Sequence, residues 1–280
     1  MALSAFLPHD FSEQRRIAII AGRGLYPSLL CNRMQKHGLD VYLVALEGET
    51  SGELVAKFPD GKVGKMPVGK IGKLLSFLGR NAIDYAVMAG QIQPKKLFHG
   101  LVPDFKALSL LAKLKTKNAE TIFGAIASEI ENIGARVLDA RCFMDEDLAT
   151  IGNMTKKKLK IQGEYLDHGI KIARGISELD IGQSAIVRRG TTLAVEDFAG
   201  TNDLIERASK FKVDGAFLVK TSKCKQDYRF DVPVFGQRTL DAMVKYGIFA
   251  AVLEANSVII LDKKNVLSSA NGHNIAICGF

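Results

Sequence analysis

The sequence predicts an α/β protein with two domains. Over the first half of the chain, short apolar runs of strand character alternate with segments of helical periodicity, a pattern typical of a parallel sheet flanked by helices. A polar, lysine-rich tract then interrupts the alternation, and the strands that follow include a hairpin-like pair. The length of 280 residues also suits two domains. We therefore expect an N-terminal parallel sheet with helices and a C-terminal mixed α/β sheet.

The composition favours anionic partners. The net charge is +8 and the pI is about 9.2, which suits nucleic acid, acidic lipid headgroups or phosphorylated metabolites. Trp is absent and no basic strand is studded with aromatic residues, so we expect no nucleic acid partner. No apolar run approaches the roughly 20 residues that span a bilayer. Residues 1–15 lack the pattern of a secretory signal and are predicted to form a short disordered leader.

The cysteines predict neither disulfides nor a structural zinc site. They lie far apart, with no paired spacing: Cys31, Cys142, Cys224 and Cys278. This usage fits free thiols in a reducing cytoplasm.

The predicted N-terminal domain, 16–144, opens with a strand at 16–21 and a helix at 28–37, joined by a turn that contains Gly22 and Gly24. Strand, glycine turn and helix begin a nucleotide-binding unit, because glycines let the backbone approach a phosphate and the helix N-terminus attracts its charge. The domain is therefore predicted to be Rossmann-like. Pro27 replaces the third glycine of the dinucleotide fingerprint, so the match is partial, and an ordinary tight turn is the simpler alternative.

The later elements of this domain follow the same alternation. A second strand, 41–46, ends at Glu47, about where a Rossmann domain places the acid that binds a ribose. Gln91 follows a strand that ends in a glycine. The other predicted elements are helices at 68–78, 104–114 and 121–132 and strands at 85–89 and 136–138. Helix 104–114 is basic and amphipathic, which suits a membrane surface or a lipid site, although such a pattern more often marks a core-facing helix.

Residues 145–160 are predicted to form a linker, and 161–280 a C-terminal mixed α/β catalytic domain. Its predicted helices lie at 165–178, 204–211 and 238–246. Its predicted strands lie at 184–188, 192–196, 216–219, 249–253, 258–261 and 275–278.

The charged loop after strand 216–219 is the leading candidate for chemistry, because ligands of open α/β sheets bind beyond the carboxyl ends of strands. Asp227 and Asp231, with Glu196 as a third candidate, could hold a divalent metal, and Arg229 could stabilise charge on phosphorus. One aspartate could instead orient an attacking water. The loop predicts phosphate-ester or anhydride chemistry. The alternative is a solvated loop whose charges pair with one another.

Six blocks of the sequence, in this order, resemble a known enzyme family: IIAGRGLYP at 19–27, VGKIGKL at 68–74, MAGQI at 88–92, LDIGQS at 179–184, LAVE at 193–196 and KQDYRFDVP at 225–233. The family is that of the UDP-2,3-diacylglucosamine pyrophosphatases of the Gram-negative lipid A pathway. The resemblance is to the metal-dependent, two-domain type, which lacks the motifs of calcineurin-like phosphoesterases.

The resemblance implies an enzyme that hydrolyses UDP-2,3-diacylglucosamine to 2,3-diacylglucosamine 1-phosphate (lipid X) and UMP, with water attacking the phosphorus nearer the sugar. It implies magnesium, with manganese as the alternative, and a cytoplasmic protein that contacts the inner membrane peripherally; we expect a homodimer. Asp227 is the preferred catalytic residue, with Arg229 and Asp231 beside it. The residues expected to bind substrate are Gly22, Gly24, Gln91, Gln183, Thr201, Lys220, Lys223 and Gln226.

Two other functions remain open from the sequence. The glycine turn and Glu47 would suit a nicotinamide-dependent oxidoreductase, although Pro27 weighs against it. A non-catalytic nucleotide- or lipid-binding protein would keep the basic loop without turnover.

Overall fold

The computed structural model of the chain describes residues 3–92, 103–223 and 225–280. The chain forms two compact units. The first comprises Met1–Asp145 together with Asp227–Asp231, and the second comprises Glu146–Gln226 together with Val232–Phe280. The first contains a parallel sheet and the second a mixed sheet, each with helices, so the predicted fold class is confirmed.

The first unit is built on a wholly parallel sheet with the strand order β3-β2-β1-β4-β5. Its strands are β1 (Arg16–Ala21), β2 (Asp40–Leu46), β3 (Val63–Met66), β4 (Tyr85–Ala89) and β5 (Arg136–Val137). The chain builds outward from β1 to β3 and then places β4 on the other side of β1. The strand order therefore reverses between β1 and β4, and ligands of open α/β sheets bind at such a reversal. This topology confirms the Rossmann-like prediction.

The helices of the first unit lie where apolar residues recur at helical spacing. They are α1 (Tyr26–Lys36), α2 (Gly52–Val55), α3 (Ile71–Arg80), α4 (Phe105–Lys113) and α5 (Ala119–Asn132). α3 buries Ile71, Leu74 and Leu78, which share one face. α4 and α5 begin at Asp104 and Asn118, whose side chains accept hydrogen bonds from backbone N–H groups three residues further on.

The N-terminal segment differs from the predicted disordered leader. Phe11 stacks on Tyr85 of β4 with ring centroids 5.0 Å apart. The carboxylate of Asp10 pairs with Arg136, with 2.8 Å between Oδ1 and Nη1. An aromatic contact on the central sheet is enough to order a short segment that has little periodicity of its own.

The second unit is built on a six-stranded sheet with the order β6-β13-β11-β9-β7-β8. Its strands are β6 (Gly152–Asn153), β7 (Ser184–Arg188), β8 (Thr191–Val195), β9 (Ala216–Lys220), β11 (Ala250–Leu253) and β13 (Ala276–Gly279), while β10 (Val234–Phe235) and β12 (Ile259–Ile260) form a separate parallel pair. β9, β11 and β13 are parallel to one another, and β6, β7 and β8 run antiparallel to their neighbours. The parallel centre places the ends of β9 and β11 at one edge of the sheet.

Helices cover both faces of this sheet. They are α6 (Gly163–Glu178), α7 (Thr201–Ala208), α8 (Gln237–Tyr246) and α9 (Lys263–Gly272). Phe217 and Val219 of β9 pack on the α6 side, whereas Leu218 packs with the three other helices, as the alternation of a strand requires. Among the described residues, no helix combines the length and the apolar character needed to cross a bilayer.

The division of the chain differs from the predicted one in two places. Most of 145–160, predicted as a linker, lies in the second unit: β6 pairs with β13, and the Thr155 hydroxyl accepts a hydrogen bond of 2.9 Å from the Ile277 N–H. Asp227–Asp231, predicted within the C-terminal domain, belongs instead to the first unit. Arg229 of this segment pairs with Glu131, and Phe230 stacks on Phe123.

The thiols of Cys31, Cys142 and Cys278 are free, as predicted, and Cys224 lies outside the described residues. Cys31 and Cys142 are buried, and burial raises the pKa of Cys31 to about 11 despite the nearby Lys57. A thiol with so high a pKa is a weak nucleophile at neutral pH.

Candidate active site

The turn after β1 is joined directly to the turn after β4. The N–H of Gly22 donates to the carbonyl of Ala89 at 2.8 Å, and Arg23 and Gln91 exchange two backbone hydrogen bonds of 2.7 and 3.1 Å. A Cβ on Gly22 would lie 2.5 Å from the carbonyl oxygen of Gln91, so only glycine fits there. Gly22 and Gln91, both predicted to bind substrate, are therefore neighbours at the point where the strand order reverses.

The other predicted glycine faces open space. Gly24 has a φ of +94°, a conformation that favours glycine, and a Cβ added to it would meet nothing within 4 Å. The turn thus offers exposed backbone at the start of α1, where a helix N-terminus favours an anion.

The two acids after β2 differ in their surroundings. Glu47, predicted at the ribose-binding position, is exposed, whereas the side chain of Glu49 is fully buried and pairs with Arg23, with 2.8 Å between Oε2 and Nε. Because Arg23 lies within the glycine turn, this ion pair attaches the turn to the buried side chain of Glu49.

The candidate catalytic residues form a single turn in the first unit. The carboxylate of Asp227 accepts hydrogen bonds from the backbone N–H, Nε and Nη2 of Arg229 at 3.1, 3.0 and 2.7 Å. The N–H of Asp231 donates to the carbonyl of Asp227 at 3.0 Å. The Arg229 guanidinium also pairs with Glu131 of α5, at 3.1 Å. Glu131 was not predicted, and only the folded chain brings it here.

These contacts fix the charge of Asp227. Hydrogen bonds from the Arg229 side chain lower the pKa of Asp227, and its partial burial opposes this only in part. Asp227 is therefore ionised at neutral pH. An anion of this kind is better suited to binding a cation than to removing a proton from water.

The backbone of Ala140 links the glycine turn to the Asp227 turn. The Tyr26 hydroxyl, at the first position of α1, donates to the carbonyl of Ala140, and the N–H of Ala140 donates to the carbonyl of Tyr228 at 2.7 Å. Hydrogen bonds on both sides of Ala140 thus hold the two predicted parts of the site in one framework.

A second polar cluster lies at the carboxyl end of β9, in the second unit. Lys220 is 5% exposed and Glu196 is 9% exposed. The Lys220 ammonium donates to the hydroxyls of Ser184 and Thr201, both at 3.1 Å, and its Nζ lies 3.6 Å from Oε2 of Glu196. Thr201, the first residue of α7, donates its hydroxyl to Oε1 of Glu196 at 2.5 Å, and Gln183 donates its N–H to Oε2 at 3.2 Å.

The hydrogen bonds of this cluster keep Glu196 charged. Burial by itself raises the pKa of Glu196, but Lys220 and the hydrogen bonds from Thr201, Ser184 and Gln183 outweigh it and lower the pKa below its usual value. A buried ion pair persists only when such bonds replace the lost hydration.

The remaining predicted residues adjoin this cluster. Oε1 of Gln226 accepts from the N–H of Lys223 at 2.7 Å and from the side chain of Gln183 at 3.4 Å. The Lys223 ammonium pairs with Asp180 at 2.5 Å. The sequence reasoning missed Glu254, which follows β11 directly and accepts hydrogen bonds from the Thr221 hydroxyl and the Ser222 N–H at 2.5 and 2.7 Å. Its place after an apolar strand was the available signal.

The structure thus assigns the predicted residues to two groups. The first unit holds Gly22, Gly24, Gln91, Asp227, Arg229 and Asp231, and the second holds Gln183, Glu196, Thr201, Lys220, Lys223 and Gln226. In the described parts of the chain, no three His, Cys, Asp or Glu side chains gather as metal ligands. Glu196, predicted as a third ligand, is buried and bonded to Lys220, Thr201 and Gln183. Asp227 and Asp231 fit magnesium better, because this ion often takes one or two carboxylates and completes its shell with phosphate oxygens and water.

Comparison with known proteins agrees with this two-unit architecture. Residues 16–147 match the model of the LpxI N-terminal domain, and residues 150–278 match that of the LpxI C-terminal domain. The chain is also 26% identical over 279 residues to the UDP-2,3-diacylglucosamine pyrophosphatase LpxI of Caulobacter vibrioides, an alignment that covers 95% of this chain and 97% of the relative. The boundary between the two matches falls close to the division between Asp145 and Glu146.

Proposed function

This chain belongs to the LpxI family, and from that premise we propose that it hydrolyses the pyrophosphate bond of UDP-2,3-diacylglucosamine in lipid A synthesis. The products would be lipid X and UMP. The observation that carries the proposal is the linkage through Ala140, which holds an open glycine turn and an ionised, arginine-paired aspartate in one framework. Pyrophosphate hydrolysis uses a site that binds phosphate, which the glycine turn offers, and an anion that holds a cation, which Asp227 offers.

In the proposed reaction, water attacks the phosphorus nearer the sugar. A bond forms from the water oxygen to this phosphorus, the bond to the bridging oxygen breaks, and the bridging oxygen leaves with UMP. The backbone at Gly24 is exposed and would bind a phosphate oxygen. Arg229, held between Asp227 and Glu131, would present its charge to the transition state.

We propose magnesium, with manganese as an alternative, held by Asp227 and Asp231 together with phosphate oxygens of the substrate. Bound there, the ion would stabilise the negative charge on the phosphoryl oxygens and on the leaving oxygen. The low pKa of Asp227 supports this role, because the carboxylate needs no deprotonation before it binds a cation. Glu196 is not included among the proposed ligands, since it is buried and paired with the buried Lys220, whereas Asp227 is partly exposed.

The alternatives receive less support. In an oxidoreductase Glu47 would bind a ribose, but both domain matches and the relative favour a pyrophosphatase instead. Pro27 also occupies the third glycine position of the fingerprint. A non-catalytic binding protein would have the same geometry, so only a turnover measurement separates it from an enzyme.

The deciding experiment measures release of UMP and lipid X from UDP-2,3-diacylglucosamine with magnesium, with manganese and with a chelator, in water enriched in heavy oxygen. We expect metal-dependent turnover, with the label in lipid X. Label in UMP would overturn the proposed point of attack. Intact substrate beside stoichiometric protein and metal would leave a binding protein and reject the enzyme.

We also propose that the first unit contacts the inner membrane peripherally. α4 buries Ala107 and Leu110 but leaves Phe105 87% and Leu108 53% exposed. Beside the start of this helix lies a cleft whose lining includes Lys65, Lys73 and Arg80. Exposed apolar side chains next to cations suit an anionic lipid surface. Sedimentation with vesicles that contain phosphatidylglycerol should capture the protein, and Phe105→Ser should weaken capture. Equal capture by neutral phosphatidylcholine vesicles would contradict a role for the cations.

A cytoplasmic location and a homodimeric state are further proposals. Sedimentation equilibrium at micromolar concentration tests the second, and a mass of 30.5 kDa would show a monomer instead.

A further inference from the structure

The guanidinium of Arg141 contacts two aromatic rings. Its Cζ is 3.4 Å from the ring centroid of Tyr228 and 4.3 Å from that of Phe6. Asp139 fixes the plane of the guanidinium through hydrogen bonds to Nε and Nη2 of 3.1 and 2.7 Å. Only 15% of the Arg141 side chain is exposed.

We infer that Arg141 is a positioning residue for the Asp227 turn, and that Phe6 of the N-terminal segment completes the stack that holds it. This inference rests on the proposed function for its catalytic consequence. Its structural part, the docking of Tyr228, stands independently. Arg141 acts through Tyr228, which separates Asp227 from Arg229 in the chain.

The Asp227 turn depends on its surroundings for its position. Within the turn, Asp227 and Arg229 bond to each other, which fixes their mutual geometry, while Arg229 also pairs with Glu131 of α5 at 3.1 Å. Their side chains are 29% and 32% exposed, about twice the exposure of Arg141. The more buried cation is therefore the better anchor, since desolvation strengthens an arginine–aromatic contact.

Two further contacts dock the same turn, besides the stack on Arg141 and the Arg229–Glu131 ion pair. The carbonyl of Tyr228 accepts from the N–H of Ala140 at 2.7 Å, and Phe230 stacks on Phe123 of α5 with centroids 6.0 Å apart. The backbone bond survives substitution of Arg141, so we expect the turn to loosen rather than to detach. A displacement of about 1 Å at a reacting group costs on the order of 10²-fold in rate.

The kinetic test compares Arg141→Met with Arg238→Met. Arg238 is an exposed residue of α8 in the second unit, so it supplies a control with the same substitution. We expect Arg141→Met to lower kcat by about 10–100-fold with little change in KM. The kcat of Arg141→Lys should lie between those of the wild type and Arg141→Met, because an ammonium can lie over the Tyr228 ring but cannot make two hydrogen bonds to Asp139 as a guanidinium does. Wild-type kcat in Arg141→Met would overturn the inference.

A spectroscopic test is independent of substrate. The chain contains no Trp, so Tyr228→Trp introduces a single indole at the docked position. In this background Arg141→Met should shift the emission to longer wavelength and increase quenching by acrylamide, whereas Arg238→Met should do neither. Unchanged emission and quenching would show that Arg141 does not hold residue 228. If the wild-type protein hydrolyses nothing, the proposed function fails, yet the emission still decides whether Tyr228 is docked.

The N-terminal segment supplies a third measurement. Phe6→Ala removes one of the two rings that contact Arg141, so it should lower kcat, but by less than Arg141→Met. Phe211→Ala removes a ring that is 58% exposed in the second unit and should leave kcat unchanged. Equal kcat in Phe6→Ala and Phe211→Ala would show that Phe6 does not help Arg141 to hold the Asp227 turn.

Discussion

A single arginine supplies most of the hydrogen bonds to the Asp227 carboxylate. Arg229 donates three hydrogen bonds to it, from the backbone N–H, Nε and Nη2. The arrangement keeps the anion charged while leaving it partly exposed, and a carboxylate used for binding a cation requires both. Glu131 then holds the far side of the same guanidinium.

The first prediction concerns this carboxylate. Asp227→Asn should lower kcat by at least about 10³-fold, roughly 4 kcal/mol, because an amide holds a divalent cation poorly and returns no charge to Arg229. Circular dichroism should show an unchanged fold. The matched control, Asp214→Asn, alters an exposed acid that is 3.9 Å from Arg189, a pair of little energetic consequence. Wild-type turnover by Asp227→Asn would remove Asp227 from the mechanism.

The second prediction concerns the glycine turn. Gly22→Ala should lower the free energy of unfolding by about 1–3 kcal/mol, because the new methyl group would lie 2.5 Å from the Gln91 carbonyl oxygen. Gly52→Ala, in α2, meets no atom within 4 Å and should be neutral or slightly stabilising. Urea unfolding of both variants checks the contrast. Equal stability of the two would mean that the turns after β1 and β4 are not tightly joined.

At the level of elements, the buried cluster ties together three strands and a helix of the second unit. Ser184 begins β7, Glu196 follows β8, Lys220 ends β9 and Thr201 begins α7. A buried ion pair is weak support for stability on its own, since desolvation offsets much of its attraction. The ion pair instead specifies which strand and helix ends lie together, because a shift of any one of them would leave a buried charge without its partner.

The third prediction follows from that asymmetry. Lys220→Met should lower the free energy of unfolding by about 3–5 kcal/mol, because it leaves Glu196 charged and buried. Lys220→Met combined with Glu196→Gln should recover most of the loss, since the amide oxygen can accept from the Gln183 N–H while the amide NH2 donates to the Thr201 hydroxyl. Chemical denaturation of the four proteins gives the coupling energy. Additive losses in the double variant would show that the two side chains act separately.

The fourth prediction is the pH dependence of this cluster. The pKa of Glu196 is lowered from 4.5 in the folded state, so the unfolded chain binds the proton more readily. The contribution of Glu196 is therefore present above about pH 4.5 and is lost as the pH falls through the folded-state pKa. Thermal melting between pH 3 and 6 should show a smaller loss on acidification in Glu196→Gln than in the wild type. Parallel curves would contradict the lowered pKa.

Sequence periodicity located the elements whose apolar residues are regularly spaced. Strands 85–89 and 184–188 were predicted with the observed limits because each is a compact apolar run. β3 was missed, since its four residues include a glycine and an exposed lysine at the edge of the sheet. α9 was missed because only Val266 and Ala270 face the core, too few to produce a helical pattern.

The candidate site was predictable by residue but not by location. Asp227, Arg229 and Asp231 follow strand β9 in the chain, so local reasoning assigned them to the second domain. Their attachment to the first unit depends on Glu131, Ala140 and Phe123, and no local pattern encodes contacts so distant in sequence. The resemblance identified the chemistry, while the folded chain alone identified the surface on which the turn rests.

At the scale of the whole molecule, charge sets the partners. The chain carries 38 Lys and Arg against 30 Asp and Glu, an excess that attracts a pyrophosphate and an anionic lipid surface alike.

The fifth prediction is a salt effect on the proposed reaction. Raising the ionic strength from about 0.01 to 1 M shortens the Debye length from about 30 to 3 Å, so attraction of the substrate should weaken and kcat/KM should fall. Turnover at saturating substrate should change less, and an equal osmolality of sucrose serves as the control. A kcat/KM that is independent of salt would remove long-range attraction from the mechanism.

The placement of Asp227–Asp231 on the first unit has a consequence for synthesis of the protein. A nascent chain that has just passed Asp145 already contains every strand of the first sheet, yet lacks the turn that the proposed chemistry requires. The contact between Glu131 and Arg229 joins residues 98 positions apart, so the turn docks only after most of the second unit has been translated. Catalytic competence would thus appear late on the ribosome, after the fold of the first unit and close to release of the finished chain.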